Sequence, residues 1–225
     1  MKKYKPTTKE KLKKLVFTNN GIKLGDIDTS LITDMSDLFN KSERKDFEGI
    51  EEWDTSNVEN MAYMFAYMDY NVLGQYSMTE FNSNLNNWNV SKVKNMIYMF
   101  ACCTYFNQPL NKWDVSNVEN MSGMFLGAKK FNKPLNNWNV SKVKDMSDMF
   151  HRCEAFNRPL DKWDVSNVKD MSNMFNVALK FNQNINNWNV SNVEDLSKTF
   201  RYCKAFDQPL NDWDVSNVKN MKCIF

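Results

Sequence analysis

The spacing of tryptophan constrains this chain more than any other feature of its sequence. All seven tryptophans fall in one series, at Trp53, Trp88, Trp113, Trp138, Trp163, Trp188 and Trp213. The last six are 25 residues apart, and the first gap is 35 residues. A fixed period of this length indicates one supersecondary unit repeated along the chain. The sequence therefore predicts a repeat protein.

Other apolar residues keep the same period, which defines a repeat that runs from one tryptophan to the next. In the repeat that begins at Trp138 they are Val140, Val143, Met146, Phe150, Phe156 and Leu160. A unit of this size cannot bury its own apolar face. Copies stacked on one another form a continuous core, in which each repeat contacts only its neighbours.

Two apolar patterns within each repeat predict its local structure. The spacing of Leu135, Trp138 and Val140 is typical of the short strand of leucine-rich repeats. The apolar residues of 143–150 run i, i+3, i+6 and i+7, which is one face of a helix or 3₁₀ turn. We therefore expect an α/β repeat solenoid. It would be a leucine-rich-repeat-like stack of about seven 25-residue coils, each with a short parallel strand and a short helix or 3₁₀ turn.

The N-terminal residues predict a cap, so the chain divides at residue 26. Residues 1–26 would form a short helix and a first strand, and residues 27–225 the solenoid. Thr7 to Glu10 resembles a capping box at the start of that helix. The apolar stripe of the helix is Leu12, Leu15 and Val16, and the first strand would contain Ile22, Leu24 and Ile27.

One insertion breaks the period and is the first candidate binding site. Fifteen residues separate Phe65 from Phe81, where other repeats have five, so ten residues are inserted within 66–80. Six of the eight tyrosines lie in or beside this region: Tyr63, Tyr67, Tyr70, Tyr76, Tyr98 and Tyr105. Insertions in repeat proteins map to loops that often bind partners, and tyrosine suits recognition. A neutral insertion that covers an apolar edge is the alternative. Tyr67, Tyr70 and Tyr76 are the candidate ligand-binding residues.

Small polar side chains between the apolar residues of the predicted strand are the second candidate site. Asn137, Asn139 and Asn187 would face outward and could bind a protein or a glycan. Asparagine also forms two columns along the repeats, one just after the second Phe and one two residues before Trp. The alternative is that these side chains bond the bends of successive coils, as turn residues do.

Nothing in the sequence points to catalysis, a cofactor or a metal site. The chain has no Ser-His-Asp order, zinc-protease motif or phosphate-binding glycine loop, and its one histidine, His151, has no regular partners. The net charge of +2 gives no reason to expect nucleic acid. No apolar run is long enough to cross a bilayer, and no signal peptide begins the chain, which as given is expected in the cytoplasm.

The cysteines follow a 50-residue super-period that favours packing over chemistry. Cys103, Cys153 and Cys203 alternate with Ala128 and Ala178 at one position of the repeat. Alternate coils would be about 10 Å apart, beyond the reach of a disulfide. We expect all five cysteines to be free thiols, most of them buried.

The segment FNQPLNKWDVSNVENMSGMF resembles the repeat of bacterial BspA-like leucine-rich-repeat proteins, including those of mycoplasma lipoproteins. The resemblance implies a leucine-rich-repeat-like solenoid at the cell surface or secreted, with host or matrix proteins as partners. It carries no catalytic residues. The expected function is a non-catalytic protein-interaction or adhesion module. The alternative is a structural scaffold that forms homo-oligomers through an uncapped C-terminal coil.

Overall fold

The computed structural model describes residues 2–17, 21–42, 44–67 and 81–225. Within them, regular secondary structure is limited to the α-helix Lys9–Val16, here α1, and the 3₁₀ helices Leu24–Asp26 and Ile50–Glu52. The remaining backbone pairing consists of isolated parallel bridges between residues of neighbouring repeats. Each repeat consists of short turns joined by irregular backbone.

Helix α1 forms where the sequence predicts it and covers one end of the core. Its N-cap is Thr8, whose hydroxyl accepts a hydrogen bond from the Lys11 amide, one residue later than the capping-box pattern suggests. Leu12 and Val16 are fully buried. The prediction of a first strand is wrong at Leu24, which begins a 3₁₀ helix, although Ile27 pairs in parallel with Tyr4.

Neighbouring repeats lie side by side, with each residue next to its equivalent. The residue seven positions after each tryptophan forms a parallel bridge to the same position of the next repeat, as Asp145 does to Asp170. Around this bridge the Met146 amide donates to the Asp170 carbonyl and the Lys169 amide to the Lys144 carbonyl, each at 2.9 Å. The 25-residue period is therefore the register of the backbone pairing.

The strand predicted through Leu135, Trp138 and Val140 is absent. The Trp138 amide donates to the Leu135 carbonyl at 3.0 Å, and the Val143 amide to the Val140 carbonyl at 2.9 Å, so two turns replace the strand. A four-residue turn brings its first and last residues within 7 Å. Apolar residues three positions apart therefore meet in the core without an extended backbone, and Trp138 and Val140 are both buried.

The helical turn predicted over 143–150 is absent as well. Turns are closed there by amides that donate three residues back, as Met149 does to Met146 at 3.2 Å. The intervening amides donate to the next repeat: Asp148 to the Ser172 carbonyl at 2.8 Å, and Phe150 to the Met174 carbonyl at 2.9 Å. A helix would use every amide within its own segment, whereas here alternate amides join the repeats.

These turns require left-handed backbone at two positions of the repeat, ten and fourteen residues after tryptophan. The residues with positive φ at these positions include Tyr98, Cys102, Gly123, Gly127, Asp148, Arg152, Asn173, Val177, Lys198 and Tyr202. A type II turn has its third residue in this region, which glycine adopts without strain. At Val177 the φ of 60° holds a β-branched side chain in a conformation that such residues rarely adopt.

The core consists of columns of aromatic rings. Phe125 stacks on Phe100 and on Phe150 of the adjacent repeats, with centroids 5.7 Å apart in both cases. Within its own repeat, Phe125 stacks on Phe131 at 4.1 Å. Offset stacking at these distances is favourable beyond the burial of apolar area. Each phenylalanine therefore contacts rings both along the stack and within its repeat.

Tryptophan adds a hydrogen bond that phenylalanine cannot make. The indole Nε1 of Trp138 donates to the Leu110 carbonyl of the preceding repeat at 3.0 Å. Every tryptophan from Trp53 to Trp213 makes the equivalent bond, at 2.9–3.0 Å. A buried indole N–H needs such a partner, which explains why this position is always tryptophan from Trp53 onward.

The insertion leaves the stack undisturbed on both sides. Phe65 and Phe81 flank it, and their rings are 4.1 Å apart, as are those of Phe125 and Phe131 in an uninterrupted repeat. The Tyr67 amide donates to the Ala101 carbonyl at 3.1 Å. The core on either side of residues 66–80 therefore keeps the packing of an uninterrupted repeat.

Replacing Val177 with glycine is expected to stabilise the protein. Relief of the left-handed strain is worth about 1–2 kcal/mol, and the added entropy of glycine in the unfolded chain offsets about half of that. Urea unfolding followed by circular dichroism should give a higher midpoint for Val177→Gly. Val190→Gly is the control, because Val190 is buried without positive φ, and this change should lower the midpoint. A lower midpoint for Val177→Gly would contradict the claim that the backbone conformation at Val177 destabilises the protein.

Candidate binding surfaces

Two stacked tyrosines form the centre of an apolar patch beside the insertion. The rings of Tyr63 and Tyr98 are 5.2 Å apart and nearly parallel. Gly123 follows them at the same position of the repeat, and a Cβ added there would lie 2.1 Å from the Tyr98 ring. Glycine at 123 therefore lets the Tyr98 ring lie on the backbone. We define the tyrosine patch by its members: Tyr63, Ala66, Tyr98, Ala101, Cys102 and Leu126.

The patch belongs to the repeats on either side of the insertion. Tyr67, the last described residue before the insertion, is half-buried and packs against the main core, so it anchors the chain at this point. Tyr70 and Tyr76 lie outside the described residues. Sequence reasoning placed Tyr63 and Tyr98 near the insertion but missed their stacking, because the left-handed turns that orient them have no glycine signal in these two repeats.

The three asparagines predicted as binding residues do not act as one group. The Asn139 Oδ1 accepts hydrogen bonds from the Ser141 amide at 3.2 Å and from its hydroxyl at 2.7 Å. The Asn187 Nδ2 donates to the Asp161 carbonyl at 2.7 Å. Asn137 is exposed and makes no hydrogen bond to any described residue. Two of these side chains thus already hold turns or neighbouring repeats.

The asparagine columns bond the bends of successive repeats, which confirms that alternative. The Asn132 Oδ1 accepts from the Asn157 amide of the next repeat at 3.0 Å, and the same bond recurs from Asn82 to Asp207. In the other column, the Asn136 Nδ2 donates to Asp161 at 2.9 Å. These amides satisfy backbone donors that the turns leave open.

Three aspartates stand on consecutive repeats at the bridge position. Asp145 accepts a hydrogen bond from Asn120 at 3.3 Å, and Asp195 accepts one from Asn220 at 2.9 Å. Asp170 stands between the two carboxylates, and its own burial raises its pKa, with both neighbours adding to the effect. No group of His, Cys, Asp and Glu suited to a metal ion occurs among the described residues.

His151 has a carboxylate partner, which the sequence did not predict. Its Nδ1 lies 2.8 Å from the Asp148 Oδ1. The same two positions are joined by Asp37 and Asn40 at 2.8 Å, and by Asn173 and Asn176 at 3.0 Å. Because amides make the same bridge over the same turn, the His151–Asp148 pair is one form of a repeated turn contact.

All five cysteines are free thiols, as the sequence predicts, and all but Cys223 are buried. The Sγ of Cys153 donates to the Phe125 carbonyl of the preceding repeat at 2.9 Å. Burial raises the pKa of Cys103 and Cys153, that of Cys102 to about 11 and that of Cys203 to about 12. The buried thiols are therefore protonated at neutral pH and act as packing groups.

Comparison with protein families gives a match along nearly the whole chain. Residues 10–71, 70–161 and 133–225 each match the family described as Mycoplasma protein of unknown function, DUF285. The chain belongs to the DUF285 family. This membership supports a mycoplasma-type repeat protein. Comparison with curated proteins and with solved structures gave no match. No helix in the described part of this DUF285 chain is long and apolar enough to cross a membrane.

Asn132 provides a test of the asparagine column. Asn132→Ala should lower the free energy of unfolding by about 1 kcal/mol, because the Asn157 amide loses its acceptor. Asn132→Asp keeps a side-chain oxygen that can accept from the Asn157 amide, and should cost much less. Urea unfolding of both variants measures the difference. Equal losses would show that the acceptor is unimportant.

The stacked aspartates predict a pH dependence. A raised carboxyl pKa in the folded state means that ionised Asp170 opposes folding at pH 7 and that protonation relieves this. Asp170→Asn should therefore raise the free energy of unfolding at pH 7 by about 0.5 kcal/mol. The advantage should shrink as the pH falls towards about 4, near the unfolded pKa. Unfolding curves at several pH values measure this difference in the free energy of unfolding. A difference that does not change with pH would show that the charge of Asp170 is not its cause.

Proposed function

We propose that this DUF285 protein is a non-catalytic binding module at the bacterial surface. The observation that carries the proposal is the stacked pair Tyr63 and Tyr98, in the two repeats that a tyrosine-rich insertion separates in the sequence. Its scaffold would be a leucine-rich-repeat-like solenoid of about seven coils, of the BspA-like type. Turns replace the strand and helix expected of each coil, but the backbone pairing and ring columns are those of stacked repeats.

The tyrosine patch suits recognition for physical reasons. Tyr63 and Tyr98 each have few side-chain rotations, so ordering them on a partner costs little conformational entropy. Tyr63 stacks on Tyr98, and the Tyr98 ring lies against Gly123, so both rings are oriented before any partner arrives. Tyrosine also combines apolar area with a hydroxyl, which suits a surface that is partly wet when free.

The partner in this proposal is a host or matrix protein, with a glycan as the other possibility. The resemblance to BspA-like proteins suggests the former. The asparagine-lined face offers a glycan only a few unengaged groups, such as Asn137. The partly buried rings of Tyr63 and Tyr98 offer aromatic area instead, which favours a protein partner.

An assembly scaffold is the second candidate function. The outer face of the repeat that begins at Trp213 exposes apolar side chains, with Phe225 70% and Met221 43% accessible. At the opposite end of the described chain, Leu12 and Val16 of α1 are fully buried. The scaffold hypothesis predicts that two copies of the chain pair through this face and form dimers.

The insertion and the patch can be tested by three variants. Residues 66–80 are replaced by Leu126 to Lys130, the natural link of an uninterrupted repeat. Tyr98→Asn removes a stacked ring, and asparagine tolerates the left-handed backbone. Tyr202→Asn is the matched control, since Tyr202 is also left-handed and is exposed in a distant repeat.

Binding to arrayed matrix proteins and glycans is the measurement. A saturable interaction should be weakened about tenfold by each of the first two changes, as expected for an aromatic residue central to an interface. It should be unchanged in Tyr202→Asn. Equal binding by all variants would exclude the patch. No binding, together with a sedimentation mass of two chains, would favour the scaffold.

A further inference from the structure

A groove lined with lysine lies on another exposed face of the repeats. Its residues come from the fourth and sixth positions after tryptophan, with one serine beside them. They are Glu119, Ser141, Lys142, Lys144, Asn167 and Lys169, which we call the lysine groove. The groove is open to solvent and has a volume of about 440 Å³.

Charges at the sixth position pair across repeats, with Lys169 as the exception among the lysines at this position. Lys94 bonds Glu59 of the preceding repeat at 2.8 Å, and Lys144 bonds Glu119 at 2.7 Å. Lys219 bonds Glu194 in the same way.

Lys169 breaks the pattern because the preceding repeat carries Lys144 rather than glutamate. The next repeat carries Glu194, which is already bonded to Lys219. The Lys169 ammonium therefore has no hydrogen bond or ion pair with any described residue.

Lys142 lies four residues after Trp138, in the repeat that contains Lys144, and it replaces an asparagine. In neighbouring repeats this residue is asparagine, and Asn117 and Asn167 each donate to a serine carbonyl of the repeat before, at 2.8 and 2.7 Å. Lys142 instead donates to the Asn117 Oδ1 at 2.7 Å. The lining residues of the groove thus carry three ammonium groups and one carboxylate, and the charge of Lys169 also acts on Glu194 of the next repeat.

We infer that the lysine groove binds an anionic group of an acidic polysaccharide. An anion placed between Lys142, Lys144 and Lys169 would relieve the repulsion between ammonium groups on adjacent repeats. Lys92 and Lys94 stand at the same positions two repeats earlier, about 10 Å along the stack. A polyanionic chain lying along the repeats would therefore meet a second pair of lysines.

The lining of the groove favours a polysaccharide over other polyanions. Protein interfaces concentrate aromatic and apolar side chains at their centre, and single-stranded nucleic acid binds by stacking on aromatic rings. The groove has neither, since all its lining residues are charged, amide or hydroxyl. Ser141 and Asn167 would serve the hydroxyl groups of a sugar.

This inference rests on the proposed binding function and adds a partner class at a second surface. The tyrosine patch and the lysine groove share no residue. Variants of one can therefore be measured without altering the other, and the failure of either proposal can be told from the failure of both.

The test measures binding of fluorescently labelled heparin by the full chain at low salt. The variant is Lys142→Asn with Lys169→Glu, which restores the asparagine of neighbouring repeats and places a carboxylate in the repeat after Lys144. The control is Lys130→Asn with Lys180→Glu, which makes the same charge change at two exposed lysines elsewhere. Unfolding midpoints of both are compared with the parent chain, to ensure that each is folded.

The groove variant should bind heparin about tenfold more weakly than the parent, and the control within about twofold. Binding by the parent should also fall steeply with salt. The chain with residues 66–80 replaced should bind heparin like the parent, which separates this site from the insertion. Equal weakening in variant and control, or no binding by the parent, would overturn the site. Polyglutamate binding as tightly as heparin would overturn the choice of polysaccharide.

Discussion

The alternation of backbone hydrogen bonds is the constraint on which the rest of the structure depends. Around Met146 to Phe150, one amide closes a turn within its own repeat and the next donates to the following repeat. Neither set alone would hold the chain, since isolated turns are weak and a single bridge is not a sheet. Together they fix the repeat length, because a residue must lie beside its equivalent for the outer donors to find their carbonyls.

Because of that register, the residues at any one position of the repeat form a column along the stack. Each side chain in a column lies beside the equivalent side chains of the neighbouring repeats. Rings stack well on rings, so Phe125 and its neighbours gain from repetition. Carboxylates on adjacent repeats repel one another instead. The sequence mostly avoids such neighbours by alternating Glu with Lys, or Asp with Asn, along a column. The two exceptions, the aspartates around Asp170 and the lysines around Lys169, are places where the column rule is broken and where charge accumulates.

The sequence predicted a repeat protein because a 25-residue period is visible in the sequence whatever the local conformation. Columns of Trp, Phe and Val indicated which side chains are buried, and the structure buries them from Trp53 to Phe200. Local structure was predicted wrongly because the spacing of Leu135, Trp138 and Val140 is shared by strands and by linked turns. Left-handed residues such as Asp148 and Val177 could not be predicted, since the pairing between repeats, rather than the local sequence, imposes their backbone. The same reason hid the stacking of Tyr63 and Tyr98, and the unpaired state of Lys169 required knowing which residues adjoin it.

The join between Phe65 and Phe81 has a consequence for how such proteins can diversify. The Phe65 and Phe81 rings are as close as the equivalent rings of uninterrupted repeats. The packing of the core therefore does not depend on the sequence that joins these two residues. Selection can therefore alter the length and content of this segment while the folding of the remaining chain is conserved. Specificity could therefore evolve by changes in this segment, without changes in the stability of the repeats.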